Sequence, residues 1–93
     1  MIREAMQGLV DHITLRYPGA RVELEPWCSA LFVKVFIEGR HFVLEFRPGE
    51  GFGVSEVVDE VDAWTGHSHA FKEFEEARSK FLEMIASRDS KQR

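Results

Sequence analysis

Two runs on either side of a glycine limit most strongly what this chain can fold into: "ALFVKVFIE", residues 30–38, and "HFVLEF", residues 41–46. Both runs are rich in β-branched and aromatic residues, which favour strands. Gly39-Arg40 between them predicts a two-residue turn with glycine in the first position. The sequence therefore predicts an antiparallel hairpin.

The position of this turn fixes which residues of the two strands face each other. With Gly39-Arg40 at the tip, Lys34 faces Glu45, a favourable cross-strand charge pair. On the other face, Val35 then meets Leu44 in an apolar contact. A single register thus pairs opposite charges on the outer face and apolar residues on the inner face.

A third strand is predicted just before the hairpin, in "ARVELE". The residues that follow, 26–29, include Pro26, which suits a loop better than a central strand. If these four residues form the loop, Leu24 faces Leu31 and the apolar inner face extends over three strands. A segment further on, "FGVSEVV" at residues 52–58, predicts either a fourth strand or a short helix that starts near Ser55. The β-branched crowding of the valines favours the strand, followed by an irregular acidic loop.

Amphipathic helices are predicted at both ends of the chain. Apolar residues recur at steps of three and four over residues 2–17 and again over residues 70–87. Pro18 ends the first helix, because proline disfavours helical geometry in the residue before it. The order of elements predicts a two-layer α+β domain: an N-terminal helix, a three- to four-stranded antiparallel meander and a C-terminal helix. We expect both helices on one face of the sheet.

The length and composition of the chain predict one domain. Its 93 residues suit a single α+β domain over residues 1–88, and residues 89–93 have nothing apolar to bury and should fray. No apolar run approaches the roughly 20 residues of a membrane helix, so no membrane partner is expected. The start does not resemble a signal peptide, and the single cysteine, Cys28, allows no internal disulfide. These features favour a cytoplasmic location.

The charge distribution disfavours nucleic acid as a partner. The net charge is −4, and no basic residue lies between Arg47 and Lys72. The order of elements is similar to that of double-stranded-RNA-binding domains, which recognise the shape and the phosphate groups of an RNA duplex. However, the start of the last helix, "FKEFEEAR", carries one lysine against three glutamates. RNA binding therefore ranks third among the functions considered, as an analogy of fold alone.

The stretch "RPGEGFGVSE", residues 47–56, raises the question of a phosphate-binding loop. Its glycines at 49, 51 and 53 have neither the Gly-Lys pair of a Walker loop nor the spacing of a dinucleotide fingerprint. Glu50 and Glu56 would also repel phosphate. The stretch therefore predicts a turn between strands. A turn implies that Gly51→Ala costs only modest stability.

Candidate catalytic and metal-binding residues are few. His67 and His69 in "GHSH" are weak metal candidates, because a zinc site needs three or four rigid ligands. No recognisable signature surrounds Cys28, and no G-x-S-x-G occurs. We expect no cofactor and favour a protein without catalytic activity, although the sequence leaves enzyme activity undecided.

The outer face of the predicted sheet is the remaining candidate site. Two helices cannot cover both faces, and phenylalanines ringed by charges are typical of a partner surface. Ordinary cross-strand packing is the alternative explanation. The predicted interface consists of Phe32, Lys34, Phe36, Val43, Glu45 and Arg47.

These features predict a small non-catalytic protein-interaction or regulatory domain, of which an immunity factor would be one example. Its partner would be another protein or a second copy in a homodimer. The alternative is a small-molecule or metal-binding domain that uses the loops Gly49–Gly53 and His67–His69.

Overall fold

The computed structural model describes residues 2–57 and 69–87 of the chain. Within them lie two helices and one antiparallel sheet whose strands follow chain order, β1-β2-β3-β4-β5. The elements are α1 (Ile2–Arg16), β1 (Arg21–Trp27), β2 (Ala30–Ile37), β3 (Arg40–Arg47), β4 (Gly51–Val57), β5 (His69–Phe71) and α2 (Phe74–Ala86). The predicted α+β fold is confirmed. The predicted acidic loop and the frayed tail lie outside the described residues.

One apolar core joins both helices to the same face of the sheet. Alternate residues of the strands point toward the helices, as the two-residue period of a strand requires. The most deeply buried members are Met6, Leu9 and Ile13 on α1, Val33, Val35, Leu44 and Val54 on the sheet, and Phe81 and Ile85 on α2. This arrangement leaves the other face of the sheet, hereafter the outer face, on the side away from α1 and α2. Neither helix is long and apolar enough to span a bilayer, among the residues described.

The hairpin of β2 and β3 turns one residue earlier than predicted. Glu38 and Gly39 form the turn, with φ of 51° and 77°, as a type I′ turn requires. Lys34 therefore faces Val43, and Glu45 faces Phe32, so the predicted pairing of Lys34 with Glu45 is wrong by two residues. A shift by two residues keeps every side chain on its own face, and the alternation of polar and apolar residues cannot detect it.

The turn between β1 and β2 is also tighter than predicted. It contains only Cys28 and Ser29, and Cys28 has a positive φ of 56°. Pro26 lies inside β1, opposite Leu31, and Leu24 faces Val33. The predicted four-residue loop is therefore wrong. Proline is accepted because β1 is an edge strand, where a missing N–H costs no ladder bond.

The glycine stretch forms a turn that leads directly into β4. The backbone N–H of Glu50 donates to the carbonyl oxygen of Arg47 over 2.9 Å, and Gly49 has a φ of 82°. Pro48 followed by such a glycine is the pattern of a type II turn. The strand prediction for this segment is confirmed over residues 52–57, and the observed strand begins one residue earlier, at Gly51. The rival short helix is wrong over those residues.

The last helix begins later than its apolar pattern predicts. Residues His69–Phe71 form β5, which pairs with β4, and α2 starts only at Phe74. Phe71 and Phe74 lie three residues apart, so both fit a helical period although only Phe74 is in the helix. Pairing with β4 satisfies the backbone of Phe71 instead, and this tertiary contact overrides the local pattern.

Candidate functional site

The outer face brings together side chains from all five strands. The registers align them in rows that run across the sheet, for example Glu25, Phe32, Glu45, Gly53 and Ala70. All the residues predicted for the interface lie on this face. They are Phe32, Lys34 and Phe36 on β2, and Val43, Glu45 and Arg47 on β3. The registers were predicted wrongly, but the face of each residue was predicted correctly.

Side-chain size divides the outer face into two parts. The part formed by β1 and β2 carries large side chains, and we call Trp27, Phe32 and Phe36 the bulky half. The part formed by β4 and β5 carries almost none, and we call Gly51, Gly53 and Ala70 the small half. The missing side chains leave space above the sheet.

That space is a groove of about 770 Å³, which we call the outer groove. Phe32 and Trp27 line one side of it, Gly53 and Ala70 line the other, and Val43 lies between them. The glycines at 51 and 53, which suggested a phosphate loop, thus contribute to a groove because they point outward from β4 without a side chain. A large side chain at Gly53, in the same outward row as Glu45 and Ala70, would project into the groove.

Several predicted interface residues lie deeper than an open sheet face suggests. Val43 is only 8% exposed and Glu45 only 7%, so they form part of the floor of the outer groove. Phe32, Lys34 and Phe36 are half-buried, and Arg47 is exposed. The floor is therefore shielded, and the residues around it offer the accessible surface.

Trp27 belongs to the rim of the outer groove and was missed by the sequence analysis. Its side chain is 60% exposed. The incorrect loop placed it outside the sheet, and only the correct register puts it at the end of β1 beside the groove. The other large exposed apolar residue among those described is Leu15, on α1, at 83%.

The charges of the outer face are paired with one another. Lys34 forms an ion pair with Glu25 on the neighbouring strand. Arg47 pairs with Glu45, and a hydrogen bond and the charge of this carboxylate raise the pKa of Arg47. A third pair joins Arg21 Nε and Glu23 Oε2 over 2.8 Å. These three cations and three carboxylates leave the outward positions of β1, β2 and β3 without net formal charge.

His41 lies at the far end of the outer groove, in contact with an aromatic ring. Its imidazole stacks on Phe36 with a centroid distance of 4.2 Å and an interplanar angle of 20°. The guanidinium of Arg21 lies 5.1 Å from the centroid of the same phenylalanine ring. Burial lowers the pKa of His41 and nearby Lys34 lowers it further, while Glu23 acts in the opposite direction. These effects favour the neutral form of the His41 imidazole.

The Nε2 atom of His41 is buried and has no hydrogen-bond partner among the residues that the structure describes. A buried polar atom without a partner costs roughly 1–3 kcal/mol. The contact with Phe36 packs the faces of the ring but does not satisfy this nitrogen. The unsatisfied Nε2 atom of His41 therefore lowers the stability of the folded domain at the outer face.

In the described parts of the chain, the residues proposed to bind a metal or a small molecule do not lie together in one site. His69 faces Val54, whose side chain lies in the core on the helix side, whereas Gly53 opens to the outer groove. His67 lies outside the described residues. No group of three or more histidine, cysteine, aspartate or glutamate residues suited to a metal occurs in residues 2–57 and 69–87. Cys28 is exposed in its turn.

Comparisons with protein-family models, with curated proteins and with solved structures find no match. What the protein binds must therefore be inferred from its own shape and chemistry. The outer groove, with its bulky half, its small half and its paired charges, is the feature that supports an inference.

Proposed function

We propose that the protein is a non-catalytic interaction domain, and that its outer groove binds an apolar side chain of a protein partner. The observation that carries the proposal is the outward placement of Gly51 and Gly53 beside the bulky half. It leaves a groove of about 770 Å³ with aromatic side chains along one wall. Filling such a groove removes apolar surface from water on both partners, which favours binding by about 25 cal/mol per Å².

The residues around the groove are of the types that dominate protein interfaces. Tryptophan, tyrosine and arginine supply most of the strong contacts in such interfaces. Trp27 is largely exposed, and Arg47 lies beside the floor residue Glu45. The ion pairs form a polar rim, which contributes more to specificity than to affinity. A hydrophobic centre with a polar rim matches the usual anatomy of an interface.

A neutral small molecule is the second candidate for the groove. Its volume falls within the roughly 300–1,000 Å³ of small-molecule pockets, and its lining mixes aromatic rings with a few polar groups. The largely exposed Trp27 favours a protein, since a small-molecule pocket encloses most of its ligand. RNA is disfavoured because the charges of this face cancel.

A random-peptide library displayed on phage tests the proposal. Selected peptides are synthesised, and their affinity for the purified domain is measured by fluorescence anisotropy. Trp27→Ala and Phe32→Ala should each weaken binding by about 10-fold or more, as interface anchors do. Leu15→Ala is the matched control, because Leu15 is an exposed apolar residue on α1, and it should leave the affinity unchanged.

Peptides that bind Trp27→Ala and Phe32→Ala as tightly as the wild type would contradict the proposal. A parallel titration with a library of neutral aromatic fragments, followed by amide chemical shifts, tests the second candidate. Saturable shifts at Gly53 and Ser55, together with no peptide that depends on the groove, would favour the small molecule.

A further inference from the structure

We infer that the partner is a second copy of this chain, and that the bulky half of each copy fills the small half of the other around a two-fold axis. The inference rests on the proposed function, since it names the occupant of the same groove. Its basis is the unequal distribution of side-chain size across one sheet face.

The sheet registers show how two copies would fit. In the row across the sheet, Phe32 on β2 and Gly53 on β4 lie on either side of Glu45, on the central strand β3. A two-fold axis that runs parallel to the strands above β3 places β2 of one copy over β4 of the other. Phe32 then lies over Gly53 of the other copy, and Glu25 on β1 lies over Ala70 on β5. Trp27 lies two residues further along β1, roughly 7 Å from that row.

The alternative two-fold arrangement does not fill the groove. An axis perpendicular to the strands places β1 and β2 of one copy over the same strands of the other. The bulky half would then lie over the bulky half of the other copy, and the small half would remain opposite the small half. Only the axis along β3 places the bulky half of one copy over the small half of the other. Each copy then makes the same contact with its partner, as a closed dimer requires.

Charge also favours contact between two outer faces. The chain carries a net charge of −4, so two copies repel each other on average. The outer face is an exception, because Arg21, Lys34 and Arg47 are each paired with a glutamate on the same face. The outward positions of β1, β2 and β3 therefore add no net charge repulsion between the copies. Glu45, which would lie opposite its own equivalent at the axis, is paired with Arg47.

The area of the outer face determines how much of it must be buried in a dimer interface. The strands β1 to β4 have seven or eight residues and, at about 3.3 Å per residue, give a face roughly 23 Å long. Five strands about 4.8 Å apart make it roughly 20 Å wide, with β5 covering only three residues of that length. A specific interface buries roughly 800 Å² of accessible surface on each partner. A corrugated face of this size reaches that range only if both halves are in contact. In a pair of identical chains, an altered half takes part in both contacts, so damage to either half should prevent association.

Sedimentation equilibrium with two variants tests the inference. Trp27→Glu alters the bulky half and Ala70→Glu alters the small half, and both residues are exposed, so each variant should fold as judged by circular dichroism. We expect the wild type to dimerise and each variant alone to be monomeric. Leu15→Glu, on the opposite side of the domain, should dimerise like the wild type.

A mixture of the two variants is the decisive sample. In a mixed pair, the bulky half of the Ala70→Glu chain and the small half of the Trp27→Glu chain are both unaltered, so one of the two contacts is native. The mixture should therefore associate more tightly than either variant alone, and more weakly than the wild type, because only one of its two contacts is native. A mixture that associates no more tightly than either variant alone, beside a dimeric wild type, would overturn the two-fold arrangement.

A wild type that is monomeric at the highest attainable concentration would overturn the inference as a whole. Peptide binding that depends on Trp27 and Phe32 would then still support the proposed function with a different protein as partner. Loss of both results would reject the interaction domain together with the dimer.

Discussion

Gly51 at the start of β4 offers the sharpest test of the packing between β4 and β5. A Cβ at this position would lie 2.6 Å from the carbonyl oxygen of Phe71 and 3.6 Å from the Cα of Lys72. The contact is with backbone, so it cannot be relieved by rotating a side chain, and β5 must shift. Gly51 also has a φ of 104°, which side-chain-bearing residues rarely adopt.

The free-energy cost of Gly51→Ala has two parts. Positive φ in a residue with a Cβ costs roughly 1–2 kcal/mol. Displacement of β5 weakens its hydrogen bonds to β4, which adds roughly 1–2 kcal/mol. We therefore expect a loss of about 2–4 kcal/mol, out of a total stability of roughly 5–15 kcal/mol for a typical domain. The turn alone predicts a modest cost, and the contact with Phe71 is the reason for the larger value.

Gly49→Ala is the matched control for this prediction. Gly49 also has a positive φ, of 82°, but among the described residues other than its chain neighbours no atom lies within 4 Å of a Cβ built there. It should lose only the strain of roughly 1–2 kcal/mol. Urea unfolding followed by circular dichroism measures both variants. Equal losses in the two variants would refute the claim that β5 packs tightly on Gly51.

Two further predictions concern the core and the outer face. Phe81→Ala should lose roughly 3–5 kcal/mol in urea unfolding because Phe81 is fully buried, and Phe74→Ala should lose less because Phe74 is half-buried. Equal losses would show that α2 does not dock through the face described. Burial lowers the pKa of His41 in the folded state, so the unfolded chain binds its proton more readily. The stability that the neutral form of His41 contributes should therefore be fully present above pH about 6.5, and it should be lost as the pH falls through the folded pKa. In urea unfolding, the stability of His41→Phe should change less over this pH range. An unchanged pH dependence in His41→Phe would exclude His41 as its source.

The sequence predicted the faces of the sheet better than its registers. Side-chain alternation assigns Phe32, Lys34 and Val43 to the outer face in any register that differs by two residues. The turn decides between such registers, and here a non-glycine residue, Glu38, adopts a positive φ beside Gly39. Propensity disfavours that conformation for glutamate, so the turn was placed one residue too late.

The outer groove could be predicted only in part. The pattern of glycines at 51 and 53 indicated small residues on one side of a strand. The groove also depends on β4 lying two strands away from Phe32 and on Trp27 lying in β1, which are consequences of the tertiary arrangement. The strand β5 is another such consequence, because three residues carry too little pattern to separate a strand from the start of a helix.

The contact between bulky and small halves can be measured directly through Cys28, the single cysteine of the chain. It is exposed in the turn next to Trp27, so a nitroxide attached there marks the end of the bulky half. Spin-labelled chains are mixed with ¹⁵N-labelled Cys28→Ser chains, and the amide signals of the latter are recorded. We predict strong broadening at Gly53 and Ala70, in the small half of the second copy. Broadening that is absent, or that is strongest on α1, would contradict the account of the outer groove as the site of self-association.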